Sequence, residues 1–371
     1  MLQYNTSKSL TRKTVTPSRE RLFFFSSIIK KCILFLRNQI FWRCIVKKII
    51  FGYLFFIVCF FSLEPIQMSA MINMDDQNSE TIVEATNSEA DGSIITDCIM
   101  ADIDITVYSE PDITSAVLGI LQKQQVAIVF HHLENNWYEI YYAGQSGYIP
   151  AQNLVAYNGA NEVTKTFIYD GYKQPLIINA LGDSIVYGDG LVNQNANFLN
   201  LLGRKLNNAS VNNYGLCGSA LSGNHIDRLL DRYLLMEKNA DIIFVMGGTN
   251  DFGYGVLLGT MQDKTDQTFY GGLNLLMCGL TQAYPDSTII FLTPIKRTGW
   301  KNANSCGYYL SDYVDAVEKM GAFYGIQVVN LYEPVEVDFS NRIKRFMPDG
   351  LHPNIRGHVT IANYLYETLK N

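Results

Sequence analysis

The chain has 371 residues, enough for about two domains, and its 48% hydrophobic content is ordinary for globular protein with a sizeable core. Its net charge of -6 is unevenly spread: residues 1–48 hold eleven Lys and Arg against one acid, Glu20, leaving 18 basic against 34 acidic residues downstream. An acidic body argues against a nucleic-acid partner, because neutralising phosphates needs a basic surface.

The basic stretch leads through Lys47-Lys48 into a largely apolar run of fifteen residues, 49–63, closed by Glu64. That length suits the hydrophobic region of a signal peptide better than a spanning helix, which needs about 20 apolar residues. Residues 1–70 therefore read as a basic N-terminal region with a signal peptide, cleaved after Ala70, or an uncleaved membrane anchor. Either way this segment engages the membrane during export, and the body is expected to be secreted or associated with the cell envelope. The leading 45 residues are long for such a region and contain hydrophobic stretches of their own at 22–29 and 32–40, which places an expected translation start at Val46. Val58 precedes Cys59 where lipidation wants a small residue, so no lipid anchor is expected. The downstream cysteines, Cys98, Cys217, Cys278 and Cys306, have the spacing of neither a dense disulfide scaffold nor a paired zinc site. No essential disulfide, metal or cofactor is expected.

Residues 71–97 are rich in Asp, Glu, Asn, Ser and Thr, and read as a disordered linker. From 98 to 157 the pattern is short strands with turn signals, at 103–108, 117–121, 126–133, 137–142 and 146–149. So few residues of strand predict a small barrel. The segments Ile105-Thr106-Val107-Tyr108-Ser109-Glu110-Pro111, Asn136-Trp137-Tyr138-Glu139-Ile140 and Gly147-Tyr148-Ile149-Pro150 resemble a bacterial SH3 domain. That resemblance implies binding of cell-wall peptides or packing beside a catalytic domain; Trp137 and Tyr138 are expected to pack in the barrel core.

From 158 to 371 strands alternate with helices. Strands are expected at 176–181, 210–214, 242–246, 288–293 and 327–331, and helices at 197–206, 225–237, 270–283, 310–324 and 356–369. The continuously apolar Ile242-Ile243-Phe244-Val245-Met246 suits a parallel strand covered on both faces, so the predicted architecture is α/β: a three-layer, doubly wound α/β/α sandwich. In such sheets sites form at the carboxyl ends of strands.

Four segments stand at such ends or in a late loop: Gly182-Asp183-Ser184-Ile185 after the first strand, Asn213-Tyr214-Gly215-Leu216-Cys217-Gly218 after the second, Gly247-Gly248-Thr249-Asn250-Asp251 after the third, and Asp349-Gly350-Leu351-His352-Pro353 before the last helix. Each alone reads equally well as a turn or a helix cap. Together, in this order, they resemble the GDSL, or SGNH, hydrolase superfamily over about 200 residues, with Ile185 where the commonest pattern has Leu. The resemblance implies a flavodoxin-like sheet, Ser184 as nucleophile, His352 as base, Asp349 as its partner, and an oxyanion hole from Ser184, Gly218 and Asn250. The literal string Ser222-Gly223-Asn224-His225 is a coincidence of letters.

The chemistry stands independently. A serine hydroxyl needs a neighbouring base, a neutral imidazole suits that task near neutral pH, and a carboxylate on the other ring nitrogen fixes its tautomer. Charge developing on the carbonyl oxygen calls for preorganised donors. Asp183 and Asp251 are expected to be structural, the first holding the serine loop and the second capping a helix. Residues 252–269 and 297–309, with Arg297, Trp300, Lys301, Tyr308 and Tyr309, are the expected pocket walls. The expected function is a secreted serine esterase acting on short acyl, foremost acetyl, esters of a carbohydrate or cell-wall polymer. A lipase or lysophospholipase-type acylhydrolase, or a wall-binding protein with a degenerate hydrolase domain, are the alternatives.

Overall fold

The computed structural model describes residues 97–171, 174–334 and 336–370. The basic segment, the apolar run, the candidate cleavage point and the linker up to residue 96 lie outside the described residues. Among the described residues no helix is long and apolar enough to cross a membrane.

The first region is an antiparallel sheet of β1 (Cys98–Ala101), β2 (Ile105–Tyr108), β3 (Val117–Leu121), β4 (Val126–Leu133), β5 (Trp137–Tyr142), β6 (Gln145–Pro150) and β7 (Leu154–Ala156), in the order β3-β2-β6-β5-β4-β1-β7. The first half of β4 pairs with β1 and the second with β5, and its register slips between Val129 and His131. A slip of this kind lets a strand bend. The sheet consequently curls until Leu121, in edge strand β3, and Leu154, in edge strand β7, share one core with Ile99, Val107 and Ile140. This is the SH3-like region. Sequence patterning missed β1 and β7, whose four and three residues are too short to display an alternation. It also misjudged Trp137. Tyr138 enters the core, whereas Trp137 is half-buried and packs edge-on to Tyr108, with ring centroids 5.6 Å apart.

The second region is a parallel sheet of β8 (Ile177–Gly182), β9 (Ser210–Gly215), β10 (Ile242–Met246), β11 (Thr288–Leu292) and β12 (Gln327–Val329), in the order β12-β11-β10-β8-β9. This is the flavodoxin-like order, and its strand order reverses between β8 and β10. Helices follow the strands: α1 (Ser184–Tyr187), α2 (Phe198–Lys205), α3 (Leu229–Arg232), α4 (Thr249–Tyr254), α5 (Phe269–Ala283), α6 (Leu310–Tyr324), α7 (Ile343–Phe346) and α8 (Ile355–Thr368). Alternation within β10 sends Ile243 and Val245 to a cluster with Leu276 of α5 and Val317 of α6. Ile242, Phe244 and Met246 point the other way, to Leu199 and Leu202 of α2 and Ile361 and Leu365 of α8. Both faces are covered, which is why the strand is apolar throughout.

The expected helix at 225–237 is instead one turn of α3 followed by a 3-10 turn, Tyr233–Leu235. Asp227 sits in the left-handed region at φ 57°, which blocks a helical start before it. After α3, Tyr284 Oη donates to the Tyr233 and Met236 carbonyls, taking acceptors that a longer helix would have used.

The barrel and the α/β region belong to one compact unit. Val126, Ile128 and Tyr141 of the barrel join the cluster formed by α5 and α6. Gln282 of α5 donates to the Val126 and Tyr141 carbonyls at 3.0 and 3.2 Å and accepts from Ala143 N at 2.9 Å, and the hydroxyls of Tyr141 and Tyr233 meet at 3.1 Å.

Candidate active site

Gly182 of β8 lies opposite Gly215 of β9 and Met246 of β10, so the segments bearing Ser184, Gly218 and Asn250 leave the sheet from a common level beside the topological switch point. A Cβ at Gly182 would fall 2.4 Å from Val186 Cγ2 and 2.8 Å from the Met246 carbonyl, so only glycine permits the sharp rise from β8 into α1. Asp183 caps α1 by accepting from Ile185 N at 2.8 Å, as expected for a residue that holds the serine loop. Its Oδ2 is buried without a partner, and burial pushes its carboxyl up to about 7.

Ser184 is 3% exposed and its Oγ lies 2.9 Å from His352 Nε2. His352 Nδ1 lies 2.6 Å from Asp349 Oδ2. Asp349 Oδ1 accepts from the backbone N–H groups of Leu351 and His352, at 2.9 and 2.8 Å. Burial raises the Asp349 pKa, but those two backbone donors together with the His352 ring outweigh it and hold the carboxyl below the usual range. Being ionised, Asp349 can only accept. Nδ1 therefore carries the ring proton, and Nε2 is left to accept from the serine hydroxyl. The loop is fixed from both sides: Thr298 N donates to the Gly350 carbonyl at 2.8 Å, and Asn354 caps α8 immediately after the histidine.

The loop after β9 is stitched to α4. Tyr254 Oη donates to the Gly218 carbonyl at 3.0 Å and Asn250 Nδ2 to the Ser219 carbonyl at 2.9 Å. An amide nitrogen has two hydrogens, so Asn250 keeps one for another acceptor. Asp251 accepts from Leu221 N, Ser222 N and Ser222 Oγ, all within 3.0 Å. This corrects the expected helix cap: the N-cap of α4 is Gly248, at φ 105° and with no side-chain cap, and Asp251 lies inside the first turn, anchoring the opposite loop. Gly218 itself has φ 76°, a conformation that favours glycine.

Other contributors were assigned no role from the sequence, Asn213 among them although it opens one of the four segments. Asn213 Nδ2 donates to the Val186 carbonyl at 2.8 Å, tying the end of β9 to the helix that begins at Ser184. Arg232 Nη2 bridges the Gly182 carbonyl at 3.0 Å and Ser219 Oγ at 2.9 Å. Asp189 brings a second carboxylate to 3.8 Å from His352 Nε2. Its place between Gly188 and Gly190, just past the serine, was the one available hint.

Of the expected pocket walls, Arg297 donates from Nη1 to the Thr249 carbonyl at 3.1 Å. Trp300 instead packs edge-on to Tyr332, with Lys296 Nζ at 5.3 and 4.7 Å from the two ring centroids. His358 is buried, accepts from Phe198 N at Nδ1, and is held down to about 4 by desolvation. His225 lies in a loop and not a helix, its ring 4.5 Å from Tyr254.

Residues 180–359 match the GDSL-like Lipase/Acylhydrolase family and residues 104–155 the bacterial SH3 domain. No curated protein matches the chain significantly. Among solved structures, one crystal structure is 27% identical over 53% of this chain and 96% of its own, with a TM-score of 0.50. A protein from Lactobacillus plantarum is 30% identical over 55% of this chain and 97% of its own, with a TM-score of 0.49. A possible lipase from Chitinophaga pinensis is 24% identical over 53% and 98%, with a TM-score of 0.43. The chain carries a GDSL-like lipase/acylhydrolase domain preceded by a bacterial SH3 domain.

Proposed function

We propose that the chain is an exported serine esterase that removes short acyl groups, acetyl foremost, from a carbohydrate or cell-wall polymer through an acyl-enzyme on Ser184. The observation that carries this reading is the continuous chain from Ser184 Oγ through His352 to Asp349, at 2.9 and 2.6 Å. Ser184 Oγ attacks the ester carbonyl as its proton passes to Nε2, and the imidazolium that forms is stabilised by Asp349. The carbonyl oxygen takes the negative charge, which the backbone N–H groups of Ser184 and Gly218 and the second amide hydrogen of Asn250 receive. Collapse breaks the bond to the leaving oxygen, which takes the proton from Nε2 and departs as an alcohol. Water then attacks the acyl carbon by the same route, releasing a carboxylic acid and restoring the serine.

The SH3 domain supports a cell-wall setting for the polymer, and the basic segment with its fifteen-residue apolar run supports export, with the run either cleaved or kept as an anchor. The test is hydrolysis of p-nitrophenyl acetate and longer-chain esters by wild type and Ser184→Ala, followed by acetate release from acetylated xylan, pectin and peptidoglycan. The expected result is a preference for acetyl, a loss of about 10³-fold or more in the variant, and release from at least one polymer. Equal rates for wild type and variant would refute the serine mechanism, and a preference for long chains would refute the short-acyl assignment.

A further inference from the structure

Among the described residues, two side-chain oxygens are polar partners of His352 Nε2. One is Ser184 Oγ at 2.9 Å and the other is Asp189 Oδ2 at 3.8 Å. Asp189 is held in place: its own N–H donates to the Ser184 carbonyl at 2.9 Å, and its Oδ1 accepts from Gly190 N at 3.0 Å. The turn also lies against the histidine, since a Cβ on Gly190 would stand 3.3 Å from His352 Cβ. The Asp189 side chain is 49% exposed, so solvent and substrate can reach it.

We infer that Asp189 determines specificity for the alcohol half of the ester, accepting a hydrogen bond from a hydroxyl on the carbon next to the one that bears the acyl group. This rests on the esterase reading above. In that reaction the leaving oxygen takes its proton from Nε2 and must come within hydrogen-bond reach of it. The leaving oxygen and Asp189 Oδ2 thus flank the same nitrogen. In a 1,2-diol monoester the neighbouring hydroxyl lies within hydrogen-bond distance of the ester oxygen, which brings it to the carboxylate. A hydrogen bond to a charged acceptor is among the stronger kinds, and the carboxylate has no use for an ether or a hydrogen at that position. The substrate class selected is a partly acylated vicinal diol, as sugars and glycerol present.

The experiment compares kcat/KM for three matched esters, trans-2-hydroxycyclohexyl acetate, its 2-methoxy analogue and cyclohexyl acetate, with p-nitrophenyl acetate as a reference that lacks the hydroxyl. Wild type is expected to prefer the hydroxy ester over both analogues by about tenfold or more. Asp189→Ala should bring the ratio close to one, and Asp189→Asn, whose amide oxygen still accepts, should retain part of it. A wild-type ratio near one, or a ratio that survives in Asp189→Ala because all three esters fall together, overturns the inference while hydrolysis of p-nitrophenyl acetate keeps the esterase reading intact. Failure of wild type on all four esters refutes the esterase reading itself, and this inference with it.

Discussion

Asp183 carries a carboxyl that the fold keeps out of water beside Ser184. Burial sets it at about 7, against roughly 3.9 for an aspartate in an unfolded chain. Between those values the folded protein holds a proton that the unfolded chain has released, so stability declines as pH rises from about 4 to 7 and levels off above that. The contribution is on the order of 4 kcal/mol across the window. Asp183→Asn keeps an acceptor for Ile185 N and removes the titration. The difference in Tm between about pH 5 and about pH 8 should therefore be smaller in the variant than in wild type. Thermal unfolding monitored by circular dichroism reads this, and equal differences in the two proteins would contradict it. At this scale Ser184 and His352 stood out in the sequence because their segments arrive in order with two others, each at a strand end or in a late loop, although none of the four is informative alone, and the fold brings the two side chains together. Asp189 did not, because its significance comes from a ring 163 positions away that only the fold brings beside it.

At the scale of the element, α4 works as a brace for the loop after β9. Asn250, Asp251 and Tyr254 project from two turns and bond to Ser219, to Leu221 and Ser222, and to Gly218. Asp251 is the strongest member, since it satisfies three buried donors at once. Asp251→Ala leaves them unpaired and should cost about 3 kcal/mol, measured by urea denaturation. Activity should fall as well, because the loop that carries Gly218 loses its anchor. A stability change below about 0.5 kcal/mol would show that the loop holds itself. The sequence marked the motif Gly247-Gly248-Thr249-Asn250-Asp251 but suggested a cap for its aspartate, the ordinary use of that residue near a helix start. The opposite loop, not the local helix, decided its role. The same principle explains α3, where a helical pattern yielded to the demands of Tyr284 and Arg232.

For the whole molecule, the barrel is more than an appendage. Val126, Ile128 and Tyr141 share a core with α5 and α6, and Gln282 satisfies backbone groups of the barrel. Calorimetry should show one cooperative transition for the two regions, and a fragment starting at 158 should melt lower or aggregate, having exposed the apolar surface of α5 around Gln282. Two separated transitions, or a fragment as stable as the full chain, would contradict this. The unbroken apolar run of β10 made the sandwich legible in the sequence. The first half of β4 carries a run of the same kind, with Ala127 and Val129 in the barrel core and Val126 and Ile128 at the seam, but such a run does not say which helix covers its outer face. The central claim, that Ser184 is the residue acylated in turnover, is tested most directly by intact-mass spectrometry of the protein after exposure to a fluorophosphonate ester. A single adduct that maps to Ser184 and is absent in Ser184→Ala and strongly slowed in His352→Ala is the expected result; an adduct of equal yield in Ser184→Ala would contradict it.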